Sequence, residues 1–546
     1  MTARLRGADV VARTLVAAGV KRVFALSGNH VMSVFDAALD AKLEIVHVRH
    51  EAAAVHMADA WGRLTGTPGV ALVTGGPGHA NAVGALYTAL AAESPLVLLS
   101  GHAPLAELGR GAFQELRQAD LAAPVTKASW TASSAPALAA ELARALRTAK
   151  AGRPGPVHLS LPTDVLEATV PGPAGHQAFD PPVVALPEAA ADTVLAELAG
   201  AARPVVLVGP LLLRGPGRAV ARRLEEVTRV PVVGFESPRG LSDPSVGAFA
   251  GALAQADLVC LLGRQLDYTL QYGAAPTIAP ACRFVHVDPD PEAIARTARE
   301  AGARLVFSTV ADAAAAAGAL AERASRRAWP QRGWHDEAAA AIRQRPAEWA
   351  TLASPRDGPV HPLEVCRAVQ PLLDRDPNAV LVCDGGEFGQ WAQASLAARH
   401  RITNGPAGAI GAAVPFALAA RLAFPDAPVV AISGDGSFGF HMAELDTAVR
   451  CRTPIIVVVG NDAYWNAERQ IQLREYGAAR AVNCELLPTR YDGVVAALGG
   501  HGEHVARAAE LAAALERAAR SGRPACVNVT IAGLPAPRLA RAGADD

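Results

Sequence analysis

The chain has no paired cysteines. Its seven (Cys260, Cys282, Cys366, Cys383, Cys451, Cys484 and Cys526) are scattered singly, with no C-x-x-C. That spacing excludes a disulfide framework and a thiolate metal cluster, and it points to a reducing, cytoplasmic interior. Nor is there an excess of either charge: 51 Lys and Arg stand against 52 Asp and Glu, a formal net charge of −1. Without a general positive field, neither nucleic acid nor an anionic membrane is expected as a partner, and any anionic ligand must be held locally. Long apolar runs are missing as well. The alanine-rich run at 312–320 is too short to span a bilayer, and residues 1–6 lack the apolar core of a signal peptide. A soluble protein is expected. What is present is bulk: 546 residues, 51% of them apolar, are too many for one core, so several domains are expected.

Short apolar, β-branched runs alternate with helical patterns in the first part of the chain, at 22–26, 44–48, 69–74, 95–100 and 156–161. Strands separated by helices in this way are βαβ units, which require a parallel sheet covered on both faces. Residues 171–190, rich in Pro, Gly and Ala and without periodicity, read as a linker. A second set of runs follows at 204–208, 230–235, 257–262 and 283–287, and a third at 379–383, 428–433, 454–460 and 525–531. A charged, Trp-containing stretch at 323–357 divides them. The expectation is an α/β chain of three doubly wound parallel-sheet domains, at 1–168, 189–327 and 358–534. The first and third share an arrangement of strand, Gly-containing turn and helix, consistent with duplication. The tail, 534–546, is Pro- and Ala-rich and reads either as a lid or as disorder.

The strongest local signal is Gly434-Asp435-Gly436-Ser437, between an apolar strand and a helical pattern. Small residues at the carboxyl end of a parallel strand let backbone N–H groups reach phosphate oxygens, and the next helix adds the positive end of its dipole. Alone, such a turn is equally a strand-to-helix connection capped by Asp. The following strand ends at Asn461-Asp462-Ala463-Tyr464, which sets a second oxygen ligand, Asp462, at the same crevice as Asp435. Two such ligands suit a hard cation such as Mg²⁺ that also binds phosphates. With these residues the sequence resembles the thiamine diphosphate (ThDP) enzymes, in their acetolactate synthase-like branch, whose diphosphate motif is GDG followed by Asn-Asn. The resemblance implies Asp435, Asp462 and the Tyr464 carbonyl as Mg²⁺ ligands, and Gly434, Gly436 and Ser437 as diphosphate contacts. Asp462 stands where the family usually has Asn. The added negative charge should tighten the metal and weaken the bare phosphate.

The family also needs a carboxylate that holds a proton on the cofactor's N1′, so that its 4′-imino group can take the C2 proton. Arg49-His50-Glu51-Ala52-Ala53-Ala54 is similar to the segment that supplies it, which implies Glu51. By itself Glu51 is more readily a first-turn residue favoured by the helix dipole. Gly76-Pro77-Gly78-His79-Ala80-Asn81 looks like the turn beneath the cofactor ring, implying contacts from Gly76, Pro77, Gly78 and Asn81. Phe113-Gln114-Glu115 matches the family's F-Q-E, and residues 152–157 its G-R-P-G-P-V strand entry. In Gly405-Pro406-Ala407-Gly408-Ala409-Ile410-Gly411 the resemblance implies Ile410 as the wedge that bends the cofactor into a V, and Gly408 as a carbonyl acceptor. The resemblance covers about residues 5–533. It implies that first and third domains from two subunits share each cofactor, giving at least a homodimer and commonly a homotetramer.

Three features look less like acetolactate synthase itself. Gly28-Asn29-His30 is similar to the G-x-H turn of lyase and decarboxylase branches, where the imidazole faces substrate. From Leu241-Ser242-Asp243-Pro244 the chain runs to the 257–262 strand without much of the segment that wraps FAD in acetolactate synthases, so FAD is not expected. Residues 262–273 resemble stretches of 2-hydroxyacyl-CoA lyases and oxalyl-CoA decarboxylases, and 384–388 and 459–465 look like the former. The implied reaction is reversible cleavage of a 2-hydroxyacyl-CoA to an aldehyde and formyl-CoA. His30 or His79 would be the base at the substrate hydroxyl, and Gln114 a hydrogen-bond donor to the same oxygen. The runner-up is an acetolactate synthase or decarboxylase acting on a pyruvate-like 2-oxoacid. A third reading, a non-catalytic subunit that keeps the fold, is opposed by the joint presence of Glu51 and the Asp435/Asp462 pair. Trp465, Asn466 and Arg469 follow the metal loop, where the family builds a substrate-facing lid; an exposed amphipathic helix is the other reading.

Overall fold

The computed structural model describes residues 4–171 and 177–539. The chain begins on β1 (Arg4–Arg6) and continues through β2 (Arg22–Ala25), β3 (Glu44–His47), β4 (Gly69–Val73), β5 (Leu96–His102), β6 (Ala128–Thr131) and β7 (Pro156–Pro162). β8 (Thr169–Pro171) then returns to pair antiparallel with β1. β2 to β7 form a parallel sheet in the order β3-β2-β4-β5-β7-β6. A second parallel sheet, β10-β9-β11-β12-β13, is built from β9 (Pro204–Val208), β10 (Val232–Val233), β11 (Leu258–Leu262), β12 (Arg283–Asp288) and β13 (Leu305–Val310). The third comprises β14 (Val380–Asp384), β15 (His400–Thr403), β16 (Val429–Gly434), β17 (Ile456–Asn461), β18 (His501–Val505) and β19 (Ala525–Thr530), ordered β15-β14-β16-β17-β19-β18. This is the expected α/β class, with one parallel sheet for each block of the sequence. The first and third sheets share one spatial order, second-first-third-fourth-sixth-fifth, which strengthens the reading of duplication.

Two compact units result, one holding the first and third sheets, the other the second. In the first unit a continuous apolar core runs from Phe24, Val46 and Met57 through Leu86 to Val382, Phe416 and Val457. Where the helix Glu51–Thr65 meets the helix Ala413–Ala423, the buried Arg63 gives two hydrogen bonds to Asp59 (2.7 and 2.5 Å) and one to the Thr403 carbonyl (2.7 Å). Its guanidinium lies over Phe416, 5.0 Å from the ring centre. A buried charge is tolerated only when paired and hydrogen-bonded in this way, and removing either partner would strand the other. Among the described residues no helix is long and apolar enough to cross a membrane. Of the stretch read as a linker, 172–176 lie outside the described residues, and the helix Glu188–Gly200 begins inside its far end. Of the C-terminal tail, 540–546 lie outside them, and 534–539 carry no regular secondary structure.

Candidate functional site

In open α/β sheets a crevice forms at the carboxyl ends of the strands where the winding reverses. In the first sheet that point lies between β2 and β4, and in the third between β14 and β16. Of the expected site residues, His30 follows β2, Glu51 follows β3, residues 76–81 follow β4 and Gln114 follows β5, while Gly408 and Ile410 follow β15, residues 434–437 close β16 and Asp462 and Tyr464 follow β17, all on the carboxyl side of their strands.

Around the first sheet, Glu51 opens its helix and is buried, its Oε2 accepting a 3.0 Å hydrogen bond from Asn81 Nδ2. A Cβ at Gly78 would lie 2.7 Å from Thr74 Cγ2 and 3.4 Å from Glu51 Oε1, so the helix starting at Pro77 approaches as closely as glycine permits. Thr74 Oγ1 in turn lies 3.1 Å from His30 Nδ1. The His30 ring stacks on Phe113 at 5.9 Å, and burial holds its pKa below the usual imidazole value. Gln114 packs against Gly76, whose φ is +58°; a Cβ there would come within 2.7 Å of Gln114 Cβ and its carbonyl oxygen. Glu51, Asn81, Gly76, Pro77, Gly78, Gln114 and His30 are therefore brought to the carboxyl end of the first sheet.

His79, expected as the alternative base to His30, lies in the first turn of the helix starting at Pro77, and its Nε2 has no hydrogen-bond partner. Its side chain is fully buried, with Nδ1 2.8 Å from Ser100 Oγ and its ring 4.5 Å from that of His158. Burial pushes its pKa down to about 4. A residue the sequence did not flag is Gln118. Its side-chain oxygen accepts from Gly76 N–H (2.8 Å), and its NH₂ group donates to the Gly101 carbonyl (3.0 Å) and Ser160 Oγ (2.9 Å), which anchors the Gly76 turn. No motif marks it; only the fold brings it beneath that turn.

At the third sheet Asp435 is almost fully buried, and its Oδ2 has no hydrogen-bond partner. Burial, with the charge of Asp462 added, pushes its pKa up to about 7, and burial pushes Asp462 up to about 6. Asp462 Oδ1 accepts from the Tyr464 N–H at 3.1 Å. A buried carboxylate disfavoured by the charge of a half-buried one beside it is an unfinished donor set, which a cation would complete. Among the described residues no group of three or more His, Cys, Asp or Glu side chains could hold a metal, so carbonyl and ligand oxygens must supply the rest. The loop at 461–465 is fastened on both sides: Trp465 N–H donates to the Cys484 carbonyl and Leu486 N–H to the Ala463 carbonyl, each at 2.7 Å. Asn461 Nδ2 donates to the Thr489 carbonyl (2.9 Å) and to Asn528 Oδ1 (3.2 Å).

The Trp465 ring lies over Gly436, where a Cβ would approach it to 2.6 Å, and Arg469 stacks on Tyr464 at 4.3 Å. Asn466 donates to the Leu534 carbonyl, and it is the only buried residue of the helix Asn466–Tyr476. Ser437 faces Gly385, whose Cβ would fall 2.8 Å from Ser437 Oγ. Gly405, Gly408 and Gly411 all take positive φ (+69°, +66° and +98°), which gives the loop carrying Ile410 a path that L side chains rarely follow.

Family models of the thiamine pyrophosphate enzymes match three stretches of the chain. The N-terminal TPP binding domain covers residues 5–121, the central domain 191–320 and the C-terminal TPP binding domain 384–529. The chain belongs to the thiamine pyrophosphate enzymes. Within that family it is 34% identical to the acetolactate synthase large subunit IlvG of Mycobacterium tuberculosis, across 95% of this chain and 94% of the relative. It is 31% identical to the catabolic acetolactate synthase of Raoultella terrigena, across 96% and 95% of the two. To the human 2-hydroxyacyl-CoA lyase 2 it is 30% identical, across 96% and 90%.

The residues present fit the family's cofactor. Asp435 Oδ2 is an orphaned buried oxygen that Mg²⁺ would satisfy, and Gly434 fronts open space, with no atom within 4 Å of where a Cβ would stand. Gly434 has a φ of −67°, which alanine adopts without strain. Gly434→Ala should therefore leave the melting temperature of the cofactor-free protein unchanged, while intruding on the space for the diphosphate. Titration with ThDP and Mg²⁺ should show affinity weaker by about tenfold or more, roughly 1.4 kcal/mol. Undiminished affinity would mean that the diphosphate does not lie against this turn.

Proposed function

We propose that the chain is a ThDP- and Mg²⁺-dependent carbon–carbon lyase acting reversibly on a 2-hydroxyacyl-CoA, releasing an aldehyde and formyl-CoA. A second copy of the chain would complete each site, as the family resemblance implies, in a homodimer or homotetramer. The observation that carries the substrate reading is His30, buried at the turn after β2, bonded to Thr74 and stacked on Phe113 next to Gln114. ThDP, when bound, supplies the carbon nucleophile and the electron sink for breaking a C–C bond. The chain's own groups do the rest. Asp435, Asp462 and the Tyr464 carbonyl would hold Mg²⁺, with Gly434, Gly436 and Ser437 around the diphosphate. Glu51, steadied by Asn81, would hold the proton on N1′. Gly76, Pro77 and Gly78 would floor the ring, and Gly408 and Ile410 would set its bend. Held below its ordinary pKa, the His30 imidazole is neutral and able to take the proton of the substrate hydroxyl as the C–C bond breaks. Gln114 would orient that oxygen.

His30→Ala should lower turnover by about 10²-fold or more, the usual contribution of a positioned base, with ThDP affinity little changed. Equal losses in both would make His30 a cofactor-packing residue instead. A second reading, condensation of pyruvate to acetolactate, is favoured by the 34% identity to the mycobacterial acetolactate synthase subunit. Formyl-CoA release from a panel of 2-hydroxyacyl-CoA substrates, run beside incubation with pyruvate, ThDP and Mg²⁺, separates the two. Acetolactate or acetoin without formyl-CoA would replace the lyase reading.

A further inference from the structure

We infer that Asp384 and His441 are positioning residues for the cofactor site, which act by gripping the residue next to Ile410 and so aiming the wedge. The inference rests on the ThDP reading of the site. Asp384 ends β14 and is buried. Its Oδ1 accepts from Gly385 N–H (2.6 Å) and Gly411 N–H (3.2 Å), and its Oδ2 from Gly411 N–H (3.0 Å) and Ala413 N–H (2.9 Å). On the other side, His441 Nδ1 lies 2.7 Å from the Gly411 carbonyl oxygen. A carbonyl only accepts, so Nδ1 carries the hydrogen. The third contact is Phe440, whose Cβ would lie 2.5 Å from a Cβ at position 411. Gly411 is thus held at its N–H, its carbonyl and its α-carbon, with φ at +98°.

This arrangement exceeds what joining a strand to a helix requires. A wholly buried carboxylate is costly unless hydrogen-bonded, and here its bonds converge on the short stretch that follows Ile410. The same Asp384 bonds to Gly385, against which Ser437 packs, so one side chain ties the wedge loop to the edge of the diphosphate turn. His441 also meets the rings of His50 and His56 at 5.9 and 5.5 Å, which fixes its own orientation from the Glu51 helix. An apolar wedge is useful only if it is stiff, because displacement of about 1 Å from the reactive geometry can lower rates by about 10²-fold.

The test compares the full-length chain as wild type, Asp384→Asn, Ile410→Ala and the double variant, with His441→Gln beside His441→Leu. Three readouts are taken: Mg²⁺-dependent ThDP binding, C2-proton exchange of the bound cofactor, and amide hydrogen exchange of the cofactor-free protein over residues 405–413. Asp384→Asn should bind ThDP within about tenfold of wild type, exchange the loop amides faster, and slow C2 exchange by about 10²-fold. Ile410→Ala should slow C2 exchange similarly, and the double variant no further than the worse single, as expected of groups acting as one unit. His441→Gln, which keeps an N–H donor, should stay near wild type, whereas His441→Leu should follow Asp384→Asn. Losses that multiply in the double variant, or a His441→Leu chain with unaltered C2 exchange, overturn the inference while leaving the cofactor reading intact. Wild type that binds no ThDP with Mg²⁺ overturns both. If Asp384→Asn does not fold, the His441 pair decides alone.

Discussion

Glu51→Gln is expected to lower turnover by about 10²- to 10⁴-fold while leaving the fold and ThDP affinity near wild type. Glutamine has the same shape, and its side-chain oxygen can still accept the hydrogen bond that Asn81 gives to Glu51. Packing around the residue is therefore preserved, including the close approach of Gly78 and Thr74. What is lost is negative charge at the first turn of a helix, which is what would hold a proton on N1′ of the bound cofactor. A neutral amide can accept or donate a hydrogen bond there, but it does not stabilise the protonated ring. The decisive measurement is C2-proton exchange of the bound cofactor, taken together with a ThDP titration and a thermal melt. Exchange at the wild-type rate would take Glu51 out of this role. Lost binding with a lowered melting temperature would show instead that its contacts hold the turn together. His50 sharpens the contrast: its Nδ1 caps the same helix by accepting from Ala52 N–H, so helix initiation does not depend on the Glu51 charge.

The parts of the fold legible in the sequence were the strands buried on both faces. β4, β9, β11, β14 and β16 fall within a residue or two of where apolar, β-branched runs place them, because a central parallel strand must be apolar throughout. The strands not anticipated in the three sheets are β6, β13, β15 and β18, and every one lies at a sheet edge. β13 alternates between half-buried and exposed positions, and β18, His501–Val505, has only Val505 buried. An edge strand has one neighbour and less apolar demand, so its sequence carries little signal. β10 shows the same effect in reverse, since a run expected over 230–235 pairs only at Val232 and Val233.

The candidate site divides along a similar line. Residues with chemistry in their type, such as Asp435, Asp462, Glu51 and His30, were visible through motifs. Asp384, Gln118 and His441 work by bonding to the backbone of other segments, and that role exists only once the chain is folded. For His79 the glycine-rich motif gave the position but not the ring's partners, Ser100 and His158, which come from other strands.

Asp435→Asn should weaken Mg²⁺ binding in the presence of ThDP by about 10²-fold or more, and it should leave the metal-free protein at least as thermostable as wild type. The two effects have one cause. Burying a carboxylate without a counter-charge is unfavourable, and placing a second beside it adds like-charge repulsion, so the Asp435/Asp462 pair opposes folding until a cation arrives. An amide relieves both terms and discards the charge that would bind the metal. Asp462→Asn makes the informative partner, because it restores the residue usual at that position in the family and keeps a side-chain oxygen for the metal and for the Tyr464 N–H. Its Mg²⁺ affinity should fall by roughly tenfold, a smaller loss because one carboxylate remains, and its activity should survive at saturating metal. Calorimetric titration with Mg²⁺ and melts of the metal-free variants measure both sides. If Asp435→Asn matched wild type in the titration, Asp435 would leave the donor set. A lowered melting temperature for the metal-free variant would mean that the carboxylate serves the fold, and that the pair is not held in tension for the cation.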